Sequence, residues 1–233
     1  MLRILDYPGR RPEAPVTALE LDGMVGLLKD PLPVEATGLA YAARLDDGPG
    51  PILAYCAASA IAVHLARRSG YPRPLILFDP MPAGDDDVAR AYADAVGQVP
   101  GGSEPPVPFD ELPAEPGMFL QAVDEDLRRR AETALRAQGL SGDVIAEPVA
   151  HFARQHLAYL SYLLAARGAL PPEPIGPMLQ VLSREHPDHR DWLPAGELTT
   201  LRIDSDRTGL TAHEATRNGV TSFLAAVTRR QHT

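Results

Sequence analysis

The chain has 233 residues, a formal net charge of −9, and 45% apolar against 23% charged residues, the proportions of a globular chain long enough for a sizeable core. The acidic balance provides no basic face for nucleic acid, and no apolar run reaches the roughly 20 residues that a membrane-spanning helix needs. The first residues, MLRILDYPGRRPE, lack the apolar stretch of a secretory signal peptide, so a cytoplasmic protein is expected, with neither nucleic acid nor membrane as partner.

Leu2 to Leu5 reads as a short strand stopped at Tyr7-Pro8-Gly9. Residues 10–33 fit a strand or a short helix. Val34 to Leu45 has apolar residues at helical spacing and ends at Asp46-Asp47-Gly48-Pro49-Gly50. Pro51 to Tyr55 predicts a buried strand, Ala57 to Ser69 a helix closed by Gly70, and Arg73 to Phe78 a second buried strand ending at Asp79-Pro80. Strands of four to six residues alternating with helices predict a parallel α/β sheet. Asp85-Asp86-Asp87 opens a helix to about Val96, where acidic side chains suit the helix dipole. A Pro- and Gly-rich connector, 97–117, leads to two long helices, Met118 to Gln138 and Asp143 to Arg167. They interrupt the alternation as a lid insertion does. Met178 to Ser183 and Glu197 to Ile203 resume the strands, and Thr211-Ala212-His213-Glu214 predicts a capping box before a last helix. The expected organisation is one α/β domain over 1–233, with 97–175 as connector and helical lid.

The chemistry concentrates at Ala54-Tyr55-Cys56-Ala57-Ala58. An apolar strand runs straight into a helix, and small residues flank Cys56 two positions either side. A nucleophile elbow requires this, because the sharp strand-to-helix turn brings those flanks against neighbouring backbone. A helix N-terminus also lowers a thiol's pKa, and its N–H groups stabilise an oxyanion. Cys56 is the only cysteine, which excludes an internal disulfide and any multi-cysteine metal site. A buried cysteine that merely packs between strand and helix fits the same five residues. Among the histidines, His151 and His156 are five apart, a poor spacing for a shared metal. His186 and His189 share an acidic loop without a further clustered ligand, so no metal site is expected.

The longer block ILAYCAASAIAVHLARRSGYPRPLILFDPMP resembles the central part of the thioesterase family of polyketide and nonribosomal-peptide biosynthesis, type I and type II domains alike. The resemblance extends over most of the chain beyond residue 34 and is strongest over 51–82. It implies an α/β-hydrolase-like, mostly parallel sheet with flanking helices and a helical lid. It places Cys56 on the family's nucleophilic serine and Asp79 on its catalytic aspartate. It makes the Ala57 N–H an oxyanion donor, with Tyr7 in the segment standing where the family has its glycine-rich oxyanion loop. The family's histidine falls in the turn Asp204-Ser205-Asp206-Arg207-Thr208-Gly209, where Arg207 stands instead. Arginine is always protonated and cannot act as a general base. Arg207, Asp206 and His213 are therefore the candidate polar partners.

Three functions fit these residues. One is acyl transfer or hydrolysis through a Cys56 acyl-enzyme, on a thioester of an acyl or peptidyl carrier protein, of CoA, or of a small thiol. No cofactor of the protein's own is implied, since the phosphopantetheine belongs to the partner. The second is a catalytically silent relative that binds an acyl chain, a carrier protein or a partner enzyme. The third is a non-covalent cyclase or dehydratase acting on a tethered intermediate. If a carrier docks, its acidic helix is expected to meet arginines, either Arg67, Arg68 and Arg73 or the run Arg128 to Arg130.

Overall fold

The computed structural model describes residues 1–7, 15–28, 32–45, 48–100, 115–140, 142–167, 176–187, 193 and 197–230. In chain order its elements are β1 (Leu2–Leu5), a 3-10 turn (Val16–Leu19), β2 (Met24–Gly26), α1 (Gly38–Arg44), β3 (Ile52–Tyr55), α2 (Ala58–Arg68), β4 (Leu75–Phe78), α3 (Asp85–Gly97), α4 (Pro116–Ala137), α5 (Asp143–Ala165), β5 (Met178–Leu182), β6 (Leu198–Arg202) and α6 (Glu214–Arg230). They form two compact units. One comprises Met1–Asp30, Ala42–Pro82 and Gly168–Thr233; the other comprises Pro31–Tyr41 and Ala83–Arg167.

The first unit holds a six-stranded sheet in the order β2-β1-β3-β4-β5-β6, and every neighbouring pair is parallel. The strands are short and fully apolar in the middle: ILAY and LILF are buried at every position, as central parallel strands must be. One sheet face carries Leu53, Tyr55, Ile76, Phe78, Leu179 and Val181. It packs with Val16 and Leu19 of the 3-10 turn and Val220 of α6. Helix α2 packs on β3, β4 and β1.

Local chemistry accounts for most of the boundaries. The segment 10–33, open to two readings, contains both a 3-10 turn and a strand. Asp6 ties that turn to the end of β1 by accepting the Val16 N–H at 2.8 Å. Helix α1 starts four residues later than its periodicity predicts, because Thr37 caps it: its hydroxyl accepts the Ala40 N–H at 3.2 Å. Strand β4 begins two residues late, after Pro72 and Pro74. The last helix begins at Glu214, three residues after the Thr211 expected to cap it. Thr211 donates to the Pro15 carbonyl, and His213 caps α6 by accepting the Ala215 N–H at 3.1 Å. Of the 97–117 connector, 101–114 lies outside the described residues.

The second unit contains α3, α4 and α5. Asp126 of α4 is its polar anchor. It accepts hydrogen bonds from the Tyr92 hydroxyl of α3 at 2.5 Å, Arg130 Nε at 2.6 Å and Arg129 Nη2 at 2.6 Å. Burial pushes the Asp126 carboxyl up, but these hydrogen bonds outweigh it and hold its pKa below the ordinary value.

Candidate active site

The site is built at the C-terminal ends of β3, β4 and β5 and in the turn after β6. Tyr55 pairs with Phe78 in the ladder, so the residues that follow them, Cys56 and Asp79, are neighbours at the end of adjacent strands. Both have left-handed backbones, Cys56 at φ 50° and Asp79 at φ 39°. Neither residue is glycine, so each conformation costs of the order of 1–3 kcal/mol. Such strain persists only where surrounding bonds over-determine it. The Cys56 N–H donates to the Phe78 carbonyl at 2.8 Å, the Ser59 N–H to the Cys56 carbonyl at 3.0 Å, and the Asp79 N–H to the Val181 carbonyl at 2.9 Å. Wholly buried Ala54 and Ala58 provide the close flanks that the turn needs. Cys56 is half-buried, with one side against the hydrophobic cluster of the sheet.

Asp79 is completely buried. Its Oδ1 accepts the Ser183 N–H at 2.7 Å and its Oδ2 accepts the Ser183 hydroxyl at 2.7 Å. The Arg207 Nε lies 3.6 Å from the same Oδ2, and Arg207 Nη2 donates to Cys56 Sγ at 3.5 Å. One guanidinium therefore spans the carboxylate and the sulfur. The backbone of Arg207 is also held, since the Tyr55 hydroxyl donates to its carbonyl at 3.3 Å. Burial pushes the Arg207 pKa down, but Cys56, Tyr55 and Asp79 together raise it above its already high ordinary value, so it is a permanent cation.

The other predicted residues fall as follows. Ala57 opens α2, where its N–H has no intrahelical acceptor. Tyr7 follows β1, which pairs with β3 through Leu5 and Ala54, so the topology sets Tyr7 at the same sheet edge as Cys56. Pro8 and Gly9 lie outside the described residues. Asp206 does not pair with Arg207; its Oδ1 accepts the Thr208 hydroxyl at 2.7 Å and the Gly209 N–H at 2.9 Å, shaping the turn that carries Arg207. The first of those bonds is the main reason its pKa lies below the ordinary value. His213 is exposed and engaged in the helix cap rather than hydrogen-bonded to Cys56. Ser183 went unforeseen. Its only signal in the sequence was a small polar residue directly after an apolar strand.

The arginines expected to meet a carrier need correction. Arg73 is wholly buried, with Nε donating to the Gly50 carbonyl at 2.8 Å. Arg130 is buried against Asp126. Neither side chain faces solvent. Arg68 donates to the Ala42 carbonyl, and Arg128 and Arg129 are paired with Asp124 and Asp126. The ring of His186 is buried too, with Nδ1 2.6 Å from the Pro187 carbonyl; His189 lies outside the described residues. Among the described residues no helix is long and apolar enough to cross a membrane.

No protein-family model matches the chain, and no curated protein matches it. Solved structures do. A four-domain nonribosomal peptide synthetase bound to AMP and glycine matches with a TM-score of 0.54 at 16% identity, covering 95% of this chain. This chain spans 19% of that synthetase. The thioesterase of the prodiginine biosynthetic pathway in Streptomyces coelicolor matches at 14% identity and TM-score 0.47, over 96% of this chain and 88% of that one. Human thioesterase 2 matches at 13% identity and TM-score 0.45, over 95% and 92%. The architecture is α/β-hydrolase-like, a parallel sheet with flanking helices.

Proposed function

We propose that this protein is an acyl transferase acting on thioesters, with Cys56 as the nucleophile that carries the acyl group. The observation that carries this reading is the Arg207 guanidinium, 3.5 Å from Cys56 Sγ and braced by Asp79. A fixed cation beside a thiol at a helix N-terminus favours the thiolate, which attacks without a general base. The thiolate adds to the thioester carbonyl, and the Ala57 N–H donates to the oxyanion that forms. The carbon–sulfur bond to the donor thiol then breaks, and the donor leaves as a thiolate. One thioester replaces another, so the step is nearly balanced in free energy and reversible.

Hydrolysis is different, because water must lose a proton to attack. Arg207 cannot take it. The acyl group on Cys56 therefore waits for a second thiol, and transfer dominates over hydrolysis. The substrate class follows the resemblance to assembly-line thioesterases: an acyl or aminoacyl group on the phosphopantetheine of a carrier protein, or a small thioester of the same chemistry. No cofactor belongs to the protein itself in this reading.

The test is the intact mass of the protein after incubation with a panel of acyl-N-acetylcysteamine thioesters. One acyl adduct is expected on the wild type and none on Cys56→Ala. An unchanged mass across acyl groups of different length and polarity would overturn the proposal in favour of a silent binding protein.

A further inference from the structure

We infer that Ser183 is a positioning residue that aims Arg207 at Cys56 by clamping both oxygens of Asp79. Asp79 and Ser183 are both wholly buried. Ser183 uses two donors on two different carboxylate oxygens, its N–H on Oδ1 and its hydroxyl on Oδ2, each at 2.7 Å. Two bonds to one neighbour fix the plane of the carboxylate as well as its place. The orientation is then passed on, because Oδ2 is the oxygen that faces Arg207 Nε.

Ser183 is itself held. Its carbonyl accepts from Arg202 Nη1 at 3.1 Å, and the same nitrogen donates to the His186 carbonyl at 3.1 Å. The bracing thus runs from the end of β6 through Ser183 and Asp79 to Arg207 and the sulfur. If the hydroxyl is lost, Oδ2 keeps the Arg207 contact, and one of the two bonds that set the carboxylate plane is gone. The guanidinium is then drawn toward Asp79, away from Cys56. Among the described residues, Arg207, Asp79 and the Tyr55 hydroxyl are charged and polar groups set around the sulfur.

This inference rests on Arg207 acting on the Cys56 thiol. It is tested with a thiol reagent and no acyl thioester, so its failure is distinct from failure of the acyl-transfer reading. Iodoacetamide alkylation of Cys56 is followed against pH in the full chain. Ser183→Ala is expected to raise the midpoint by about half to one pH unit. Ser183→Thr, which keeps the hydroxyl, is expected to restore it. In an Asp79→Asn background, Ser183→Ala is expected to add no further shift. An unmoved midpoint in Ser183→Ala, or an equal shift with and without the Asp79 carboxylate, overturns the inference. If Ser183→Ala does not fold, Arg202→Leu decides the matter: it removes the Nη1 donor that the Ser183 carbonyl accepts. A midpoint unmoved in that variant also overturns the inference.

Discussion

The Tyr55 hydroxyl donates to the Arg207 carbonyl at 3.3 Å, so the residue immediately before the elbow also holds the turn that carries the elbow's cation. Cys56 and Arg207 are thereby set from one strand end. Tyr55→Phe removes this bond. It is expected to cost about 1 kcal/mol in urea denaturation and to slow Cys56 alkylation at slightly acid pH. A variant that is destabilised but unchanged in alkylation would separate the Tyr55 bond from the placement of Arg207.

In the acyl-transfer reading, Arg207 stands beside Asp79 where a general base would be expected. Arg207→His places an ionisable ring there. The expected outcome is a gain of hydrolysis: loss of the acyl group from Cys56 to water accelerates by about 10²-fold, read as the decay of the acyl adduct by mass. An acyl-enzyme equally long-lived in both proteins would show that the missing base does not control its fate.

How much of this was legible in the sequence varies with the kind of contact involved. The β3–α2–β4 passage was read almost to the residue, because apolar runs bounded by Gly, Pro and Asp are local signals. The sharp turn at Cys56 was legible from Ala54 and Ala58. The error at Thr211 has a plain cause. A Thr-x-x-Glu pattern says what a hydroxyl can do locally, but Thr211 met the Pro15 carbonyl, a partner far away in sequence. Ser183 was illegible for the same reason, since its partner Asp79 lies 104 residues earlier. Arg73 looked like a surface cation until the fold enclosed it.

In the second unit, Asp126 neutralises buried Arg130 and binds Tyr92 and Arg129. Asp126→Ala removes the carboxylate beside buried Arg130 and is expected to cost about 3–5 kcal/mol, measured by chemical denaturation. The pH dependence has a fixed sign. A carboxyl whose folded pKa is below its unfolded value contributes stability above the ordinary value of 3.8, and that contribution fades as pH falls through the folded pKa. Acid unfolding should therefore include a component below about pH 4 that Asp126→Asn removes. An identical acid limb in the variant would contradict this.

His64 of α2 contributes at higher pH. Burial first, and Arg67 second, lower its pKa from the ordinary 6.5. The folded ring binds a proton less readily than the unfolded chain does. Its contribution is complete above the unfolded pKa and is lost as pH falls below it. His64→Gln should flatten the decline in thermal stability as pH drops below about 6.5. A decline of the same steepness would assign that titration to another group.

The most direct test of the account is the alkylation rate of the single thiol against pH. If the Arg207 guanidinium and the start of α2 act on that sulfur together, the wild-type midpoint lies below about 7.5 and rises toward about 8.5 in Arg207→Gln. A wild-type midpoint at or above the free-cysteine value, unmoved by Arg207→Gln, would contradict it.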